Sequence, residues 1–86
     1  MAEKLRVVLY TKRGCGLCEK MKIQMRNAGV EELYTLEEVD IENDAELFSR
    51  YRDDIPVLCV AGVEAFRHRL TVDDFRNYIT SCCNGD

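Results

Sequence analysis

Eighty-six residues allow one domain and one core, near the lower end of what folds without staples. A hydrophobic share of 47% is adequate for that core, and a net charge of −4 argues against a nucleic-acid partner, which ordinarily meets a basic face. No apolar run approaches the roughly 18 residues of a membrane span, so no membrane partner is expected either. Met1-Ala2-Glu3-Lys4 leads directly into apolar residues without a signal-peptide pattern, and a cytoplasmic chain is expected. There structural disulfides are rare, and a cysteine pair is more often catalytic or metal-binding. Five cysteines, an odd number, exclude a full disulfide framework within one chain.

Leu5-Arg6-Val7-Val8-Leu9-Tyr10 is a short β-branched and apolar run closed by Thr11-Lys12-Arg13-Gly14, and it reads as a buried strand ending in a loop. From Leu17, apolar residues recur at Met21, Met25 and Ala28. That is one stripe of a helix, with Gly29 as its stop. Leu36 to Ile41, with Val39 and Ile41 alternating with Glu38 and Asp40, predicts a second strand. Strand, helix, strand in this order make a unit whose two strands run parallel with a right-handed crossover. Asn43-Asp44-Ala45-Glu46 resembles a capping box with Asn43 as N-cap, opening a short helix whose apolar face is Leu47, Phe48 and Tyr51. The single proline, Pro56, ends the irregular Asp53-Asp54-Ile55, and Val57-Leu58-Cys59-Val60 follows as a central strand. Ala61-Gly62 predicts a tight turn from which Val63 to Arg69 pairs back antiparallel. Thr71 caps a last helix with the stripe Val72, Phe75, Ile79 and Cys82, and Leu70 packs on Phe75 as a staple. The order is β-α-β-α-β-β-α, in one domain spanning residues 1–86.

The stretch most informative about chemistry is Cys15-Gly16-Leu17-Cys18. A two-residue gap lets two sulfurs close a small disulfide ring. The start of a helix supplies unpaired backbone N–H groups and a positive dipole end, which favour a thiolate over a thiol. Strand, Cys-x-x-Cys, helix therefore reads as a dithiol–disulfide redox site. Cys15, at the helix start beside Lys12 and Arg13, is the nucleophile, and Cys18, one turn inside, is the resolving thiol. The other metal-ligand candidates, Cys59, His68 and Cys82-Cys83, do not stand at the spacing of a structural zinc site, and no metal is expected. Cys59 reads as a core residue, Cys82 as core-facing, Cys83 as an exposed helix-end thiol, and His68 as a surface strand residue. The acidic pairs Glu31-Glu32 and Glu37-Glu38 read as solvated surface.

Val8-Leu9-Tyr10-Thr11-Lys12 leading into Cys15-Gly16-Leu17-Cys18, then Ile55-Pro56-Val57, then Asp73-Asp74-Phe75, carry a resemblance to the glutaredoxins and their small glutaredoxin-like relatives, across nearly the whole chain. The resemblance implies an α/β thioredoxin-like fold, with a four-stranded mixed sheet flanked by three helices, the first and last on one face and the middle one on the other. It implies a cis Ile55–Pro56 bond and an Ile55 backbone bared to pair with an extended substrate. It further implies a thiol–disulfide oxidoreductase with a redox-active Cys15–Cys18 disulfide, with Lys12, Leu17, Ile55, Pro56 and Asp73 contacting substrate or glutathione. Expected partners are protein disulfides or glutathionylated proteins and a cellular thiol reductant of the glutathione or thioredoxin-reductase type. No bound cofactor is expected, glutathione entering only as a co-substrate, and the chain is expected to be monomeric.

Two departures from the family pattern stand out. Gly16 and Leu17 replace the proline and aromatic often found between the cysteines. The glycine pair that precedes the last helix is absent, its place taken by the longer Ala65-Phe66-Arg67-His68-Arg69-Leu70. That pair lets glutathione lie close to the backbone, so glutathione as working partner does not follow from the dithiol. Two other classes share the pattern. One is a binding module that docks a partner at Ile55-Pro56 with vestigial cysteines. The other is an iron–sulfur or metal carrier, since some glutaredoxins lacking that proline hold a bridging cluster with glutathione.

Overall fold

The computed structural model describes residues 4–83, so the reading of Met1 to Glu3 lies outside the described residues. Seven elements follow one another: β1 (Leu5–Thr11), α1 (Gly16–Asn27), β2 (Tyr34–Asp40), α2 (Ala45–Tyr51), β3 (Val57–Val60), β4 (Val63–Arg67) and α3 (Val72–Cys83). Short 3₁₀ turns at Glu31–Leu33 and Ile41–Asn43 flank β2. The strands form one sheet in the order β2-β1-β3-β4, with β1 parallel to β2 and the remaining pairs antiparallel.

β1 is central, and its alternation sorts the molecule into two layers. Val7 and Leu9, both fully buried, join Met21 and Met25 of α1 and Phe75 and Ile79 of α3 in the main core. Tyr10 points to the other face, where its ring stacks on Tyr51 of α2 at 4.8 Å. There Ile41, Leu47 and Phe48 surround it in a second, smaller cluster. The first and last helices thus share one face of the sheet, and the middle helix covers the other.

Local chemistry accounts for most of the boundaries. Gly29, at φ +70°, takes the left-handed position just past α1, where a side chain would clash with the following carbonyl. Arg76 of α3 donates its Nε to the carbonyl of Ala28 at 3.0 Å, satisfying an orphan acceptor at the α1 end. The β3–β4 hairpin turns on Ala61 and Gly62, both at positive φ (51° and 83°), as a two-residue type I′ turn requires. A register shift at Leu58/Cys59 makes a bulge in this pair. The Thr71 hydroxyl accepts the Asp74 N–H at 3.1 Å and opens α3, and Leu70 is buried with Phe75.

Four sequence expectations are corrected. The buried stripe of α1 runs Cys18, Met21, Met25, Ala28, while Leu17 is 43% exposed. Spacings of three, four and three fit a helix as well as those counted from Leu17, and the packing of Cys18 on Ile41 and Ile55 selects the former. β2 starts at Tyr34, not Leu36, and stops before Ile41. As an edge strand it leaves Leu36 40% exposed, whereas Ile41 drops into the second cluster on its 3₁₀ turn. β4 ends at Arg67, because His68 adopts a left-handed φ of 70° and leaves the ladder.

The fourth correction is the cap of α2, which is Asp44. Its Oδ1 accepts the N–H groups of Glu46 (2.9 Å) and Leu47 (3.1 Å), while Asn43 belongs to the preceding 3₁₀ turn. An Asp44→Ala substitution is expected to lower the unfolding free energy by about 1 kcal/mol. Asn43→Ala should stay within about 0.5 kcal/mol of the parent, as an ordinary surface change does. Urea titration of the two variants checks the pair.

Candidate active site

The loop after β1 delivers Cys15 in extended conformation (φ −86°, ψ 105°) as the N-cap of α1. N-caps are normally oxygen-bearing side chains. Here the sulfur takes that part, accepting the Cys18 backbone N–H at 3.2 Å. The start of the twelve-residue α1 thus presents a backbone donor and the positive end of the helix dipole to this sulfur. Cys15 is half-buried, whereas Cys18 is 1% exposed and packs with Ile41 and Ile55. Both are free thiols.

Burial pushes the Cys18 thiol up to about 11, helped by its hydrogen bond with Cys15. The Thr11 hydroxyl and the Lys12 backbone pull the other way and are outweighed. The two sulfurs therefore differ in kind: one reachable and held by a backbone donor, the other covered and kept protonated.

Ile55 joins the cluster that holds both cysteines, at 8% exposure. Its N–H donates to the Tyr51 carbonyl at 3.1 Å, so an extended partner would find at most its carbonyl free. Pro56 follows through a cis peptide bond and is fully buried; its carbonyl accepts the His68 N–H at 2.7 Å, which fixes the end of β4 beside it. Lys12 is half-buried in the loop ahead of Cys15. Asp73, at the second position of α3, is exposed and pairs with Arg76 at 3.3 Å. Leu17 projects to the surface next to Cys18. A side chain at Gly16 would meet nothing within 4 Å, so the approach to Cys15 is open on that side.

Sequence reasoning missed the neighbours that come from elsewhere in the chain. A cleft of about 240 Å³ lies between α1 and the β4–α3 connection, lined by Leu17, Lys20, Met21, Gln24, His68, Arg69 and Leu70. The spacing of Leu17, Lys20, Met21 and Gln24 already marks one face of α1, but nothing local places His68 and Arg69 opposite it. Among the described residues no three His, Cys, Asp or Glu side chains gather as a metal-binding group. None of the helices described is long and apolar enough to cross a membrane.

A mixed four-stranded sheet with two helices on one face, one on the other, and a Cys-x-x-Cys at the N-terminus of the first helix defines the thioredoxin fold. Solved structures agree. The chain superposes on protein XcR50 of X. campestris with a TM-score of 0.75 at 23% identity, covering 87% of this chain and 96% of that one. For protein Ne2328 of Nitrosomonas europaea the TM-score is 0.74 at 29% identity, with 91% and 94% covered. For a mutant thioredoxin of Halobacterium salinarum it is 0.65 at 15% identity, with 92% and 74% covered. Residues 6–80 match the family described as Glutaredoxin-like domain (DUF836). A Dictyostelium discoideum protein called Glutaredoxin-like protein YDR286C homolog is 30% identical over 77 residues, 83% of this chain and 71% of its own length. The chain belongs to the glutaredoxin-like domain family.

The contrast between the sulfurs has two measurable consequences. Iodoacetamide at pH 7.5 should label Cys15 and the exposed Cys83 and spare Cys18, as read by peptide mass mapping. The folded chain holds the Cys18 proton to about pH 11, against an ordinary value of 9.0. Unfolding between those pH values therefore releases a proton, so stability present below pH 9 is lost as the pH rises toward 11. Burial raises Tyr10, Tyr34 and Cys59 in the same sense. Urea midpoints should fall over that range, and Cys18→Ala should flatten the fall.

Proposed function

We propose that this protein is a thiol–disulfide oxidoreductase that works through Cys15 and Cys18 in a reducing, cytoplasmic setting. The observation that carries the reading is the half-buried Cys15 sulfur at the helix cap, accepting the Cys18 N–H, with the protonated Cys18 thiol covered beneath it. The Cys15 thiolate attacks one sulfur of a substrate disulfide, forming a mixed disulfide and expelling the other sulfur as a thiolate, which takes up a proton from water. Cys18 then loses its proton, attacks the Cys15 sulfur and releases the second substrate thiol. Two electrons pass to the substrate and a Cys15–Cys18 disulfide remains, which two equivalents of a cellular thiol, or one dithiol, reduce again.

The chemistry requires no resident cofactor. Substrates are protein disulfides or glutathionylated proteins, approaching over Lys12 and Leu17 toward Ile55 and Pro56. Asp73, already paired with Arg76, contributes through the first turn of α3. Glutathione as reductant has to contend with His68 and Arg69 where the glutaredoxin pattern has a glycine pair. Reducing the oxidised protein with glutathione or with a thioredoxin-reductase system distinguishes the two sources.

Cys15→Ser is expected to reduce a peptide disulfide no faster than buffer. Cys18→Ser should perform the first step only and accumulate a one-to-one mixed disulfide visible by intact mass. Retained turnover in Cys15→Ser, or no adduct in Cys18→Ser, overturns the reading in favour of a binding module.

A further inference from the structure

The cleft beside the site differs in charge from the molecule that carries it. The chain is net −4, yet Lys20 and Arg69 face each other across the cleft from α1 and the β4–α3 connection, with His68 next to Arg69. Of the carboxylates near them in sequence, Glu19 shares Lys22 with Glu38 (3.1 and 3.0 Å), Asp73 pairs with Arg76 at 3.3 Å, and Asp74 enters no ion pair among the described residues. Among the described residues Lys20 and Arg69 are two of the seven lysines and arginines that enter no ion pair, and they are the two that line this cleft. The floor is apolar: Met21 and Leu70 are buried and Leu17 is 43% exposed at the end nearest Cys15. From Cys15 to Lys20 is five helical residues, about 7.5 Å along the axis. An extended peptide covers that in two to three residues.

We propose that this cleft docks an acidic segment of the protein substrate, receiving a carboxylate two to three residues from the substrate cysteine on Lys20 and Arg69 and an apolar side chain on Leu17. The inference rests on the oxidoreductase reading and adds to it a class of substrate. Charge complementarity selects the occupant. An acidic segment is the one that the protein's overall charge repels, so a preference for it must arise locally.

The test uses the reduced full chain and three peptides, each with one cysteine in mixed disulfide with 2-thiopyridine. They carry Glu, Gln or Lys at the second and third positions on either side of the cysteine. Attack by Cys15 on the peptide sulfur releases 2-thiopyridone, and its absorbance, less that released by the Cys15→Ser chain whose exposed Cys83 also reacts, gives a second-order rate constant for Cys15. The Glu peptide should react about fivefold faster than the Gln peptide at low salt, the scale of two exposed ion pairs, and the Lys peptide more slowly than both. High salt should erode the order. In the Lys20→Gln/Arg69→Gln double variant, whose sites are exposed and whose folding is checked by thermal melt, the Glu-to-Gln ratio should fall to near one. Equal rates for all three peptides, or a Glu preference that survives in the double variant, overturn the cleft and leave the dithiol reading standing. Failure of every peptide to react overturns both.

Discussion

Every α-helix begins with backbone N–H groups that have no partner inside it, and a protein must satisfy them with side chains, water or ligand. At the start of α1 a cysteine sulfur meets that need, in a place where serine, aspartate or asparagine is the usual choice. The rest of the site follows from this one contact. Cys15 is fixed at the surface in extended conformation, and Cys18, donor of the N–H, is carried on the first turn into the apolar cluster with Ile41 and Ile55. The same few atoms thus hold the helix start, present one sulfur and cover the other.

That arrangement needs the sheet to end where it does. β1 lies between β2 and β3, so its carboxyl end brings Thr11 and Lys12 against Cys18 and aims the following loop at the α1 start. The side chains of β1 divide between layers by simple alternation: Val7 and Leu9 bind α1 and α3 to one face, and Tyr10 meets α2 on the other. Cys18, on the first turn of α1, joins the α2 cluster, while Met21 and Met25 further along the same helix join the main core. A short α2 suffices, since its task is to cover Tyr10, Ile41 and Ile55 rather than to build the main core.

The charges follow a different logic. Exposed ion pairs such as Arg6–Glu37 and Lys22–Glu38 contribute little to stability. Their consequence lies in what they leave over. Lys22 is shared by Glu19 and Glu38 and Arg76 is taken by Asp73, whereas Lys20 and Arg69 are held by no carboxylate among the described residues. The connection that brings Arg69 across from Lys20 depends on the left-handed turn at His68 and its 2.7 Å bond to the Pro56 carbonyl. The same turn anchors the proline segment beside the cysteines.

Much of this was legible from residue spacing. The element order, the Ala61-Gly62 hairpin, the Thr71 cap and the identity of the two cysteines all rest on interactions within a few residues, which sequence neighbours determine by themselves. Misjudged features share a cause. Asn43 and Asp44 are chemically near-equal caps, and Leu17 and Cys18 near-equal members of an apolar stripe. Asn43 and Asp44 both stay exposed and differ in which one stands directly before the first turn of α2, whereas which of Leu17 and Cys18 turns inward depends on how α1 packs. Likewise His68 and Arg69 could be read as a strand end, and their position across from Lys20 exists only once the β4–α3 connection packs beside α1. The sequence by itself determined a dithiol at a helix start, because capping and helical spacing are local. Only the tertiary structure decided what covers Cys18 and what lines the approach, because burial and charge pairing depend on residues far apart in the chain.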